Sequence, residues 1–292
     1  MRREDFSFGS EDGLEIAYYR WRAGGKAKGI VQIAHGMGEH SLRYAHVAEF
    51  LNQAGFHVYA NDHRGHGASV KSRDSLGDFG AAGWNGLVAD MVRLTRLART
   101  REGGLPVILL GHSMGSFAAQ SYVIDNSAAI AGLVLSGSAA MDKLPIDPSR
   151  DADLAAFNSA FEPARTPHDW LSRDPAQVDA YITDPLCGFA LTPDTMMSVF
   201  AQAARLADPE QLRRIRAGFP LYVFVGDQDP VNRQTAWVTP LIERYKAAGL
   251  DVTVDIYPGA RHEILNETNR GVVEGRLLAW LEKAFRRARS AL

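Results

Sequence analysis

One stretch constrains this chain more than any other: Leu105–Ser121, LPVILLGHSMGSFAAQS. An apolar run, Val107–Leu110, meets a tight Gly-His-Ser-Met-Gly turn at 111–115, and a helix of small residues follows at once through Ser116, Phe117, Ala118, Ala119 and Gln120. A Gly-x-Ser-x-Gly turn with a strand before it and a helix behind it is a sharp elbow that carries its serine at the tip. Gly111 and Gly115 fit because strand and helix approach too closely there for a Cβ. The elbow turns the Ser113 hydroxyl toward a cleft. The N-terminus of the following helix aims backbone N–H groups at the same point, which suits developing negative charge.

The rest of the chain supplies the scaffold such an elbow needs. Phe6–Phe8 and Leu14–Trp21 read as a hairpin around a turn-rich loop. Apolar strands at Gly29–Ala34, Phe56–Asn61 and Ala131–Ser136 alternate with amphipathic helices, one over Tyr44–Ala54 and one carrying Trp84, Leu87, Val88, Met91 and Leu94 on a single face. From Met141 to Gly218 the rhythm breaks into short helical segments rich in proline (Pro145, Pro148, Pro163, Pro167, Pro175, Pro185, Pro193, Pro209). It returns with a strand at Pro220–Val225, a helix near Val238–Ala248, a strand at Val252–Tyr257 and a last helix over Val272–Phe285. Strands apolar on both faces, alternating with amphipathic helices, specify an α/β fold: a mostly parallel central sheet flanked by helices. The expected organisation is a core of residues 1–140 and 219–292 with a helical cap, 141–218, inserted between two strands. Ligand-binding residues are then expected beyond the carboxyl ends of the strands.

A serine hydroxyl needs a base to activate it and an acid to orient that base. On an elbow of this kind they follow in the order Ser, Asp, His at the ends of later strands. His262, in Gly-Ala-Arg-His-Glu, stands directly after Val252–Tyr257, and Gly-Asp-Gln-Asp-Pro (226–230) stands directly after Pro220–Val225. That loop offers two acids. Asp229 is favoured because it lies further past the strand and can reach back across the cleft, while Asp227 suits fixing the loop. The oxyanion donors are expected to be the amide of Met114, just after the nucleophile, and that of Met37 in His35-Gly-Met-Gly38, each worth on the order of 3 kcal/mol. His35, His40, His63 and His66 read as partners that tie loops by hydrogen bonds. Neither an HExxH motif nor a His/Cys cluster of metal-ligand spacing occurs, and the glycine turns match no phosphate or dinucleotide fingerprint, so neither metal nor cofactor is expected.

Composition excludes other classes. A net charge of −2 gives no footprint for nucleic acid, and the C-terminal Arg286, Arg287 and Arg289 suit a helix terminus. The single cysteine, Cys187, rules out an internal disulfide, suits a reducing, cytoplasmic setting and reads as packing or pocket lining. No apolar region follows the basic start, as a signal peptide requires, and no stretch approaches the ~20 apolar residues of a membrane span. A transient peripheral contact through the cap stays open. Oligomeric state is not readable from the sequence. In the cap, Phe157, Phe161, Trp170, Leu191, Met196, Met197 and Phe200 supply the Met and aromatic excess of an adaptable apolar pocket. Met197 and Phe200 are the candidates for substrate contact.

With these motifs in place, the chain resembles the α/β-hydrolases of the monoacylglycerol lipase and lysophospholipase group. The resemblance rests on HGMGEHSLRY (35–44), DHRGHGAS (62–69), GHSMG (111–115), GDQDP (226–230) and GARHEILNE (259–267), with a weaker match at TDPLCGF (183–189). It implies a Ser113–Asp229–His262 triad, Met37 and Met114 as oxyanion donors, a cap over an acyl tunnel, and Glu39 and Arg43 binding the alcohol end of a small ester. Where the group places a histidine three residues after the catalytic one, this chain has Leu265. The implied activity is cleavage of monoacylglycerol-like or lysophospholipid-like esters through an acyl-serine. Acyl transfer or amide cleavage by the same triad, or ligand binding without turnover on the same fold, are the alternatives.

Overall fold

The computed structural model describes residues 3–144 and 154–290. Pro145 and Pro148, and with them part of the expected 141–218 insertion, lie outside the described residues, as do residues 1–2 and 291–292. The chain enters as a hairpin, β1 (Arg3–Gly9) and β2 (Glu15–Trp21), and then alternates through β3 (Ile30–Ala34), α1 (Ala45–Gln53), β4 (His57–Asn61), α2 (Gly83–Arg101), β5 (Val107–His112), α3 (Met114–Asn126) and β6 (Gly132–Ser136). The described residues before the next strand form a 3₁₀ stretch at Leu154–Phe161 and the helices α4 (Pro175–Thr183), α5 (Pro193–Phe200), α6 (Ala203–Ala207) and α7 (Pro209–Leu212). The chain closes with β7 (Pro220–Gly226), α8 (Val238–Ala247), β8 (Asp251–Tyr257) and α9 (Arg270–Ser290).

The eight strands among the described residues form one sheet in the order β1-β2-β4-β3-β5-β6-β7-β8. The β1–β2 and β2–β4 ladders are antiparallel, and the ladders from β4 across to β8 are parallel. Helices cover both faces. Trp84, Leu87 and Met91 of α2, Phe117 and Tyr122 of α3, and Val238 and Leu241 of α8 pack on one side. Val47 and Leu51 of α1 and Leu277, Leu281 and Phe285 of α9 pack on the other. This double cover is why β3, β5, β6 and β7 are buried along their whole length and read as unbroken apolar runs. Two elements outrun the sequence reading. β1 begins at Arg3 because it pairs residue by residue with β2 as far as Trp21, and α9 continues to Ser290, its tail held by Arg287 on Asp251 and by Arg289 on the Lys28 carbonyl.

The parallel strands deliver their carboxyl ends to one edge: β3 leads into Gly36, β5 into Ser113, β7 into Asp229 and β8 into His262. The closeness of β5, α3 and β3 decides how far Ser113 projects. A Cβ on Gly115 would lie 2.2 Å from the Ala34 carbonyl oxygen, and one on Gly111 would lie 2.4 Å from that of Gly115. Both obstacles are backbone and cannot swing aside. Gly115→Ala is expected to destabilise the protein by about 3 kcal/mol, the upper range for overpacking. A urea midpoint equal to that of the parent protein would overturn this account of the elbow.

Candidate active site

Ser113 sits at the junction of β5 and α3 with φ 50° and ψ −121°, a left-handed conformation that a non-glycine residue adopts only under constraint. The constraint is visible on both sides. Its N–H donates to the Ser136 carbonyl on β6 at 3.0 Å, and its own carbonyl accepts from the Ser116 N–H at 2.8 Å and the Ser116 hydroxyl at 2.6 Å. Loop 36–38 runs alongside, since a Cβ on Gly36 would stand 3.2 Å from that of Ser113. The amides of Met37 and Met114 donate to no acceptor among the described residues.

His262 comes to the same edge from the end of β8. Its Nδ1–H donates to Asp229 Oδ2 at 2.9 Å. Asp229 is 0% exposed and is fixed in turn by the Val231 N–H at 2.9 Å and Asn232 Nδ2 at 3.1 Å. Asp227 works elsewhere. Its Oδ1 accepts the Gly259 N–H at 2.8 Å and so joins the two loops that carry Asp229 and His262. Gly137, the residue after the carbonyl that holds Ser113, makes room for the imidazole: a Cβ there would lie 3.1 Å from His262 Cε1. His112, the neighbour of Ser113, has its ring centroid 4.9 Å from that of His262. Burial pulls the His262 pKa down, but the charge and hydrogen bond of Asp229, with help from Glu263 and Glu39, outweigh it and the net shift is upward. Asp229 thus occupies Nδ1, and Nε2 is the ring nitrogen of His262 left for any proton transfer.

The loop beside Ser113 is tied by neutral histidines. His35 Nδ1–H donates to the Gly36 carbonyl at 2.7 Å while its Nε2 accepts the His63 N–H at 2.9 Å. His66 Nε2 accepts the Gly38 N–H at 3.3 Å. These contacts need unprotonated acceptors, and burial keeps them so: His35 and His63 are pushed down, His66 to about 3 and the nearby His112 to about 4. In the unfolded chain each binds a proton near pH 6.5. The unfolded state then holds more protons, so this stability is complete above about pH 6.5 and lost as pH falls toward the folded values. Urea denaturation is expected to show a loss of roughly 1–2 kcal/mol each from His66 and His112 between pH 6.5 and 5, with His35 and His63 acting in the same direction and His262 opposing in part. A flat midpoint over that window would contradict four neutral buried rings.

Glu39 is buried, the Arg43 side chain is nearly so, and the two hold each other. Arg43 Nη1 donates to Glu39 Oε2 at 2.7 Å, and the same guanidinium grips Glu263 with two bonds at 2.5 and 2.8 Å. The other Glu39 oxygen accepts the Gly36 N–H and the Tyr44 hydroxyl. Burial alone would neutralise the carboxyls, but the Arg43 charge prevails and holds both below the ordinary range. Glu39 thus fixes the backbone beside Ser113. Glu263, which the sequence reading passed over, is the third member of the group; no local signal marked it, because its partner Arg43 stands 220 positions away. Leu265 is also buried, and its carbonyl accepts from His46 Nε2 at 3.0 Å.

The segment 184–189 lies on loop 37–40. Gly188 N–H donates to the Gly38 carbonyl at 2.9 Å, and His40 Nε2 is 2.8 Å from Asp184 Oδ2, with half-buried Cys187 beside the pair. The two candidates for substrate contact part company. Phe200 packs against the larger apolar core, whereas Met197 is 49% exposed, because α5 turns Thr195, Met196 and Val199 inward instead.

Comparison with known proteins places this geometry. Residues 25–269 match the family described as "Serine aminopeptidase, S33". A monoacylglycerol lipase of Mycolicibacterium smegmatis is 32% identical over 282 residues, spanning 96% of this chain and 97% of its own. A thermostable carboxyl esterase from Bacillus coagulans, solved in complex with glycerol, superposes with a TM-score of 0.87 at 30% identity over 98% of this chain and 99% of its own. A lipase in an open form superposes with a TM-score of 0.86 at 25% identity, covering 97% of this chain and 99% of its own. The chain thus belongs to the serine aminopeptidase S33 family and, on the α/β-hydrolase fold, to its monoacylglycerol lipase group.

Proposed function

We propose that the chain is a carboxylic ester hydrolase that cleaves monoacylglycerol-like esters, with Ser113 as nucleophile, His262 as base and Asp229 as the acid that orients it. The observation that carries the reading is the buried Asp229–His262 hydrogen bond at 2.9 Å at the same sheet edge as a serine held at φ 50°. As Ser113 Oγ adds to the ester carbonyl, its proton passes to His262 Nε2, and the oxygen that gains the charge is received by the Met37 and Met114 amides. The tetrahedral adduct collapses, breaking the bond to the alcohol, which leaves with the His262 proton. Water then repeats the sequence on the acyl-serine and releases the acid.

Residues 141–218 form the cap in this reading, with the acyl chain lying between it and the sheet edge. Phe200 serves as an inner wall, and Met197 and Ile182, both exposed, suit contact with a lipid surface. Glu39 and Arg43 shape the alcohol end. No helix among the described residues is long and apolar enough to cross a membrane, and a single cysteine suits a cytoplasmic enzyme.

The test is multiple-turnover hydrolysis of p-nitrophenyl esters from C2 to C16, a monoacylglycerol and a lysophospholipid, with an aminoacyl p-nitroanilide included because the family is named for an aminopeptidase. Turnover of the monoacylglycerol above the other substrates is expected. Cleavage of the anilide alone would replace the lipase reading with an amidase one. Labelling of Ser113 by a fluorophosphonate without turnover of any substrate would favour a binding protein.

A further inference from the structure

Trp170 lies against the ring of the proposed base. Its ring centroid is 5.2 Å from that of His262, with the planes 38° apart, and its carbonyl accepts the His262 N–H at 3.4 Å. The residue is 4% exposed and packs with Leu171, Tyr181 and Val231, the last only two residues past Asp229. Its Nε1–H has no acceptor among the described residues. Phenylalanine or leucine would fill similar apolar space without an indole N–H to satisfy. What an indole offers in return is the strongest π-face for a cation, and the ring spacing is within the range at which that attraction operates.

We propose that Trp170 is a positioning and charge-stabilising residue for His262, its π-face holding the imidazolium that forms when the Ser113 proton arrives. The proposal rests on the reading of His262 as the base. The other groups that face His262 are Asp229 at Nδ1, Glu263 next along the chain, Glu39 from loop 35–40, and the neutral ring of His112. Arg43 compensates the two glutamates, and Arg261 turns away to the Asp169 and Ser172 carbonyls. Among these neighbours, the indole attracts the cation without a formal charge of its own and covers one side of the ring with an apolar surface.

Placing 5-fluoro- and then 5,7-difluorotryptophan at position 170 weakens the π-face with little change in shape. Two quantities are read on the whole enzyme: the His262 titration by ¹⁵N NMR and the pH profile of kcat/KM. Losing the π-face destabilises the imidazolium, so His262 should take its proton at lower pH. The NMR pKa and the acidic limb of kcat/KM are expected to fall together and stepwise with fluorination. Trp170→Leu should shift both by roughly half to one pH unit and lower kcat about tenfold at unchanged KM, with Trp170→Phe in between. A His262 titration unmoved by fluorination overturns the proposal. So does a Trp170→Leu variant that loses activity with its acidic limb in place, which would make Trp170 packing alone. The NMR titration does not depend on turnover. A shifted His262 pKa with no matching limb in kcat/KM would overturn the reading of His262 as base, and with it this proposal.

Discussion

Ser113→Ala should lower kcat for ester hydrolysis by about a millionfold, the loss expected when the nucleophile of a triad is removed. The rest of the machinery stays. The left-handed backbone at 113 is held by the Ser136 carbonyl and by Ser116, not by the Ser113 hydroxyl, so the variant should keep its melting temperature and bind substrate within a few-fold of the parent. A small hydroxyl-to-hydrogen change with so uneven an outcome separates chemistry from fold. The measurement is a burst-calibrated kcat on the best ester together with a thermal melt. Retention of a hundredth of the activity would remove Ser113 from the reaction.

Asp229→Asn is expected to cost about 10⁴-fold in kcat, because an amide can present its NH₂ to His262 Nδ1 and favour the tautomer with Nε2 protonated. The paired control is Asp227→Asn. Asp227 accepts the Gly259 N–H through one oxygen, an acceptor that asparagine also supplies, so its activity should stay within about fivefold of the parent. The two acids are two residues apart, equal in charge and both past the end of β7, so the contrast tests position alone. If Asp227→Asn proved the more damaging, the acid of the proposed triad would have to be reassigned.

The fold was legible in the sequence to the extent that it is local. The strand–turn–helix at 107–120, the alternation of buried strands and amphipathic helices, and the helical break after β6 all follow from periodicity and turn chemistry. So does the delivery of Ser113, Asp229 and His262 to strand ends. What stayed hidden depends on pairings across long stretches of chain. Arg43 meets Glu263 across 220 positions, and Arg173 meets the buried Glu267 across 94. No pattern within a window reports them. Trp170 read as one of several aromatic residues in a proline-rich region, and only the folded chain sets its ring on His262. Met196 and Met197 differ only in which side of α5 they occupy, and a short helix in a region of breaks does not announce its inward face.

The segment Trp170–Arg173 is stitched to the loop that carries His262. Trp170 and Leu171 accept the His262 and Glu263 amides, the Ser172 hydroxyl reaches the Asn266 carbonyl, and Arg173 binds Glu267. Those two stretches belong to one part, although nearly a hundred residues separate them. A recombinant that takes its 141–218 region from a relative would arrive with the wrong half of that part. That region is therefore not a detachable cassette: exchanging it productively means carrying residues 261–267 along with it.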